Sequence, residues 1–304
     1  MKLRRNHKKS SFGGLSIARM VLFVVILLLL MYMIYQGLQS TIISKPKQQG
    51  YELLLNYDDY DILRDNLLPS AKGEIIRHDY FTLSYREDHE QAEWVAYPLT
   101  EDMLRKKNVD RNDWFIKDDK VTTGTAEYYD YKGSGFTRGH LAPAGDMAHN
   151  EASMVQSFYM SNISPQLRAF NNGIWKELEE QTRDWVYHND KLYIVSGPIL
   201  KGQISKTISE KKISVPKYFY KVILDKNGSD KKGIGFVIPH GKSEERLQSY
   251  AVTIDSVEAL TEINFFETMD SDPELKRIES ELDLSQWAFS EARYKLRVER
   301  WNNQ

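Results

Sequence analysis

The sequence contains no cysteine among its 304 residues. Disulfide frameworks, cysteine-based zinc sites and thiol nucleophiles are therefore excluded. The chain length, with 41% apolar and 28% charged residues, is typical of one folded domain plus an additional segment. The domain has room for a substantial hydrophobic core.

Acidic residues are absent from the first 48 positions, which carry eight lysines and arginines. No charged residue lies between Arg19 and Lys45. Residues 20–35 form an uninterrupted apolar run, MVLFVVILLLLMYMIY, which is long enough to cross a hydrocarbon core of ~30 Å as a helix. The run predicts one membrane-spanning helix.

The charges around this run predict its orientation. Positive-inside bias favours a basic cytoplasmic tail at 1–19, a transmembrane signal anchor at 20–38, a stalk at 39–70 and a folded domain at 71–304. The folded domain is then expected in the periplasm or outside the cell. A cleavable signal peptide has the same order of basic and apolar segments and stays open as an alternative.

The remainder of the chain is acidic, with 33 basic and 43 acidic residues after position 48. A uniformly acidic surface repels phosphate, so any polyanion partner would need a local basic patch or a metal ion.

Hydrophobic patterning predicts an α+β fold. The runs IIRHDYFTLSYRED (75–88) and AEWVAYPLT (92–100) are typical of an antiparallel hairpin, and three later β-rich runs begin at 191, 218 and 233. Helices are predicted over 171–188 and after Asp255 and Asp272, which are placed to cap them. Strands and helices do not alternate regularly, which disfavours a doubly wound parallel sheet.

Several common catalytic motifs are missing, including GxSxG, a phosphate-binding P-loop and HExxH. Two segments remain as candidates: GFTRGHLAPAGDM (135–147), which contains His140, and SNISPQLRAFNNGIWKELEE (161–180). Taken alone, a histidine in such a turn is a packing residue, a metal ligand or a proton acceptor. Asn171, at the start of a predicted helix, is equally an ordinary cap.

Together the two segments resemble the DNA/RNA non-specific endonucleases of the ββα-metal superfamily, and flanking pieces extend the resemblance over roughly 73–290. The resemblance implies a ββα-metal fold with a central, mainly antiparallel sheet flanked by helices. It also implies a Mg²⁺-dependent hydrolase, with Mn²⁺ as a substitute, that contacts DNA or RNA through the phosphate backbone. A homodimer is compatible with it.

The resemblance also assigns roles to individual residues. It implies that His140 is the general base and that Asn171 is the metal ligand. The other residues that it implicates are Asn162 as a further active-site asparagine, Glu179 as the acid that organises the metal's water ligands, Arg138 as a phosphate-binding arginine, and Arg111 as a second arginine of the site.

One position departs from the family pattern. Thr137 stands where the family motif begins with aspartate, so a hydroxyl replaces a carboxylate. This departure motivates an alternative, a catalytically weakened homologue that binds nucleic acid or protein. A phosphodiesterase acting on small substrates or lipids at the membrane is a further alternative.

Overall fold

The computed structural model describes residues 21–22, 24–33, 67–106, 108–111, 113–226, 231–266 and 273–303. The chain divides into two compact units, Met1–Leu55 and Asn56–Gln304.

In the first unit, residues 21–22 and 24–33 are helical. No helix among the described residues is long and apolar enough to cross a membrane. The predicted anchor at 20–38 and stalk at 39–70 lie partly outside the described residues, so both stay predictions.

A central antiparallel sheet organises the second unit, which confirms the predicted α+β class. Over the described residues it has seven strands in the order β1-β2-β3-β6-β9-β10-β11. These strands are β1 (Glu74–Arg77), β2 (Thr82–Arg86), β3 (Gln91–Thr100), β6 (Lys191–Pro198), β9 (Tyr218–Asp225), β10 (Lys232–Pro239) and β11 (Ala251–Val252). Two small ribbons accompany it, formed by β4 (Thr137–His140) with β5 (Ile163–Gln166) and by β7 (Ile204–Ile208) with β8 (Ile213–Pro216).

Helices cover both faces of the sheet. They are α1 (Glu101–Arg105), α2 (Glu151–Ser157), α3 (Trp175–Asn189), α4 (Ile254–Thr261), α5 (Pro273–Ser280) and α6 (Glu291–Glu299). Successive residues of β6 point to opposite faces. Ile194 packs in the cluster that contains Leu178 of α3, whereas Val195 packs with Val257 of α4. The central strands are therefore apolar on both sides.

Two details differ from the sequence-based predictions. The first β-rich run is interrupted after β1 by a turn, in which the His78 amide donates to the Phe81 carbonyl at 2.9 Å. The predicted hairpin is then formed by β2 and β3. Helix α4 is capped by Thr253, whose hydroxyl accepts from the Ser256 amide at 3.1 Å, and not by Asp255. The other predicted cap, Asp272, lies outside the described residues.

Candidate active site

The TRGH motif forms strand β4 rather than a turn, and it pairs with β5 so that His140 lies opposite Ile163. Because side chains alternate along a strand, Arg138 and His140 are expected on one face. Both do contact the Phe115 ring, the Arg138 guanidinium at 4.8 Å and the His140 ring at 5.7 Å. The ribbon therefore brings these two predicted site residues together.

Asn162 holds the chain where it leaves β4. Its amide oxygen accepts from the Ala142 amide at 2.8 Å, and its amide nitrogen donates to the carbonyls of Ala142 at 2.9 Å and Ser157 at 2.7 Å. The side chain is fully buried. Its polar atoms are thus committed to backbone next to His140, which suits a positioning role.

His140 is buried, and its Nε2 has no hydrogen-bond partner among the described residues. The ring packs edge-on against Phe158, with centroids 4.7 Å apart. Burial, aided by the positive charge of Arg111, lowers the pKa of His140 to about 3. The imidazole is therefore neutral at physiological pH and is able to accept a proton.

Two arginines flank His140 and rest on aromatic rings. The Arg138 guanidinium lies 4.0 Å from the centroid of Tyr128, and its buried Nε has no partner in the described part of the chain. Arg111 lies 5.2 Å from the centroid of Phe158 and is paired with Asp113 at 2.7 Å. The aromatic cluster thus orients both cations near the histidine.

Sequence reasoning missed the members of this cluster, Phe115, Tyr128 and Phe158. They come from three separate segments, and each resembles an ordinary core aromatic in its local sequence. Only their tertiary contacts with charged residues distinguish them.

Thr137 contacts the predicted metal ligand. Its hydroxyl donates to the Gln166 carbonyl at 2.8 Å and accepts from the Asn171 amide nitrogen at 2.9 Å. A hydroxyl has one proton to donate, so Asn171 must present its NH₂ group to Thr137. The Asn171 Oδ1 is thereby turned away, and it makes no hydrogen bond with any described residue.

Glu179 lies on α3, which follows the π-helical turn Phe170–Ile174 that carries Asn171. Its half-buried carboxylate accepts no hydrogen bond from a described residue. Burial raises the pKa of Glu179, although the positive charges of Lys221 and Arg183 oppose the shift. The carboxylate is therefore placed to accept hydrogen bonds from water or a ligand.

Lys221 and Arg183 belong to a buried ionisable group beside Glu179 that sequence reasoning also missed. Arg183 donates to Asp146 at 2.6 Å, and the other oxygen of Asp146 accepts from the Tyr97 hydroxyl at 2.8 Å. The Lys221 Nζ lies 4.9 Å from the centroid of Trp175, and burial lowers the pKa of Lys221. No local pattern marks Lys221, because it sits within the apolar run of β9.

Gln166 fills the space beside Gly139. A Cβ placed on Gly139 would lie 2.1 Å from the Gln166 side chain, so any other residue there would force Gln166 to move. The Gln166 amide is fully buried, and neither its nitrogen nor its oxygen has a partner among the described residues. Such unsatisfied groups are typical of positions that bind water or a ligand.

The described residues contain no group of three or more histidine, aspartate or glutamate side chains that could hold a metal ion. The predicted site is of another kind, one amide oxygen supplemented by water and substrate. His140 and Asn171 are connected through β4, since Asn171 bonds to Thr137 at the start of that strand and His140 lies at its end.

Comparison with known proteins agrees with the family resemblance of the two sequence segments. Residues 60–272 match the family described as DNA/RNA non-specific endonuclease. Nuclease C1 of Cunninghamella echinulata var. echinulata is 31% identical over 217 residues, which are 66% of this chain and 86% of that relative. Mitochondrial nuclease EXOG of Danio rerio is 34% identical over 214 residues, 66% of this chain.

The chain covers 62% of that EXOG relative, which is less than two thirds of its length. Mitochondrial endonuclease G of Caenorhabditis elegans is 31% identical over 233 residues, 68% of this chain and 76% of the relative. A chain in the crystal structure of an EndoG/EndoGI complex superimposes with a TM-score of 0.60 and 25% identity, covering 65% of this chain and 87% of that one.

Proposed function

Because this chain belongs to the DNA/RNA non-specific endonuclease family and is thereby a nucleic-acid hydrolase, we propose that it cleaves DNA and RNA internally, with little sequence preference, using His140 as general base. The observation that carries the proposal is the neutral His140 ring beside the Arg138 guanidinium, both against Phe115. A base and a phosphate-binding cation are thus held on one rigid surface.

In this mechanism His140 takes a proton from the attacking water. Arg138, whose Nε has no hydrogen-bond partner among the described residues, binds an oxygen of the phosphodiester group, and Arg111 adds positive charge near His140. These residues contact the phosphate backbone of the nucleic acid rather than its bases, which accounts for a weak sequence preference.

The residues present fit Mg²⁺. Asn171 would hold the ion through its Oδ1, which accepts no hydrogen bond from a described residue, and Glu179 would bind the ion's water ligands. When bound, Mg²⁺ supplies charge neutralisation at the phosphate and at the departing oxygen.

The test is incubation of the full chain in detergent with supercoiled plasmid and with RNA, in Mg²⁺ or in EDTA. We expect Mg²⁺-dependent cleavage of both polymers. Binding without cleavage would support the alternative of a catalytically weakened binding module. Cleavage of neither polymer, together with hydrolysis of a small phosphodiester assayed in parallel, would favour the alternative of a phosphodiesterase that acts on small substrates or lipids.

Thr137→Val tests the support of Asn171. Valine keeps the shape but removes the hydroxyl that receives the Asn171 NH₂ group. We expect the Mg²⁺ concentration for half-maximal activity to rise about tenfold or more, as for other residues that orient metal ligands, with activity recovered at high Mg²⁺.

Thr137→Asp is the companion variant, because it restores the family residue. It retains an acceptor for Asn171 but loses the donor to the Gln166 carbonyl. An unchanged Mg²⁺ dependence in Thr137→Val would contradict the role given to the hydroxyl.

The pH titration of the His140 ring tests its environment. With its pKa lowered to about 3, His140 is neutral at pH 5, where an unperturbed histidine would be mostly protonated. We therefore expect the His140 ring, followed by NMR, not to titrate between pH 7 and pH 5, whereas kcat/KM also responds to Glu179, whose pKa is raised by burial. Arg111→Gln removes a positive charge that disfavours the imidazolium, so the pKa of His140 should move upward. A titration midpoint near pH 6.5 for His140 in the unsubstituted protein would contradict this environment.

We also propose that residues 20–38 anchor the protein in a membrane and that the nuclease domain faces the periplasm or exterior. The apolar run and the six basic residues that precede it, against two that follow it at Lys45 and Lys47, support this topology. Carbonate extraction of membranes should leave the full chain in the pellet, and external protease should digest the domain in spheroplasts. Release of the protein by carbonate would contradict the anchor, and so would a mature protein in cells that lacks its first 40 residues.

We also propose that the protein forms a homodimer, which light scattering in detergent measures.

A further inference from the structure

Two strongly exposed aromatic side chains lie next to the aromatic cluster of the site. Trp114 is 69% exposed and directly precedes Phe115, and Tyr129 is 73% exposed and directly follows Tyr128. The other five tryptophans of the chain are all buried: Trp94, Trp175, Trp185, Trp287 and Trp301. An exposed indole is thus unusual within this molecule, and Tyr129 is the most exposed tyrosine among the described residues.

Their position relates them to the phosphate-binding residue. Phe115 and Tyr128 are the two rings on which the Arg138 guanidinium rests. The Tyr128 and Tyr129 rings meet edge to face, with centroids 5.4 Å apart. Each exposed ring is therefore one residue away from a ring that contacts Arg138.

The local charge favours a partner bound partly by uncharged contacts. Asp113 pairs with Arg111 and reduces its net charge, and Asp130 adds a carboxylate beside Tyr129. An acidic domain gains little from phosphate attraction outside the arginines. Base stacking on aromatic rings needs no net positive charge, and every base offers a face for it.

We propose that Trp114 and Tyr129 stack on unpaired bases on either side of the phosphate bound by Arg138, and that single-stranded nucleic acid is the preferred substrate class. The inference rests on the proposed function, because it names the substrate of the same site. In a duplex the base faces are covered by their neighbours, so the two rings have nothing to stack on.

The experiment measures binding without cleavage. The full-length His140→Ala protein in EDTA is titrated with a twelve-nucleotide oligodeoxythymidylate and with a blunt duplex of equal length, by fluorescence anisotropy. Each of Trp114→Ala and Tyr129→Ala, added to this background, should raise Kd for the single strand about tenfold and change Kd for the duplex less than twofold. Trp114→Phe should retain most of the affinity.

Tyr187→Ala is the matched control, since Tyr187 is an exposed tyrosine near the end of α3 and should leave both Kd values unchanged. Because Trp114 is the exposed indole, the single strand should also protect the intrinsic fluorescence from iodide quenching. Equal effects on both probes, no effect on either, or no binding of the single strand would overturn the inference.

This result is separable from a failure of the proposed function. If the unsubstituted protein with Mg²⁺ cleaves neither polymer, the nuclease proposal fails, while the binding measurements still decide whether the rings hold a single strand. If cleavage occurs but the two alanine variants bind normally, only the stacking inference fails.

Discussion

His140→Ala should lower kcat for plasmid cleavage by about 10²- to 10⁴-fold, the usual range for loss of a general base. The effect should lie in the chemical step, because the His140 ring is buried and contributes little exposed surface to substrate binding. Single-turnover cleavage at saturating enzyme and Mg²⁺ isolates that step. The Kd for DNA in EDTA should stay within about twofold.

His188→Ala provides the control, since His188 is an exposed histidine near the end of α3. It should cleave as the unsubstituted chain does. Circular dichroism must show that His140→Ala is folded, because the ring packs against Phe158. A folded His140→Ala protein with full activity would mean that another group activates the water.

The sequence predicted the elements whose signals are local. The β2–β3 hairpin and helix α3 follow from runs of alternating or helical periodicity and are confirmed. The cap of α4 was assigned to Asp255, two positions after Thr253, because both residue types favour caps and only the backbone conformation decides between them.

In the candidate site, too, the features with local sequence signals could be predicted and those that depend on tertiary contacts could not. Arg138 and His140 could be placed on one face because alternation along an extended strand is a local rule. The contact of Thr137 with Asn171 could not be predicted, since it depends on how β5 returns alongside β4. Through that contact Thr137, the residue at which the motif departs from the family pattern, orients the Asn171 amide. The motif alone did not reveal this role.

The buried ionisable residues were the hardest to predict. Lys221 lies in the apolar run YFYKVILD, where a lysine ordinarily marks a solvated position. In the fold it is fully buried near Glu179. Its environment arises from residues of α3 and from Asp146, which are distant in sequence, so no window of sequence contains the information.

The C-terminal helix is held to the domain by Arg297, whose side chain is completely buried. The guanidinium binds the Glu177 carboxylate and donates to the carbonyls of Ser243 and Glu245. Glu177 lies on α3, two residues before Glu179. Burial raises the pKa of Glu177 even though Arg297 opposes the shift, so desolvation is a large part of this interaction's free energy.

Arg297→Ala should therefore lower the free energy of unfolding by about 3–5 kcal/mol, because it leaves the Glu177 carboxylate and two carbonyls buried without their donor. Urea denaturation measures the change. Arg300→Ala, at an exposed position of the same segment, should change stability by about 0.5 kcal/mol or less. If the loss comes from the stranded carboxylate rather than from the ion pair itself, adding Glu177→Leu to Arg297→Ala should recover part of it. A double variant less stable than Arg297→Ala would instead show that Glu177 stabilises α3 through contacts other than Arg297.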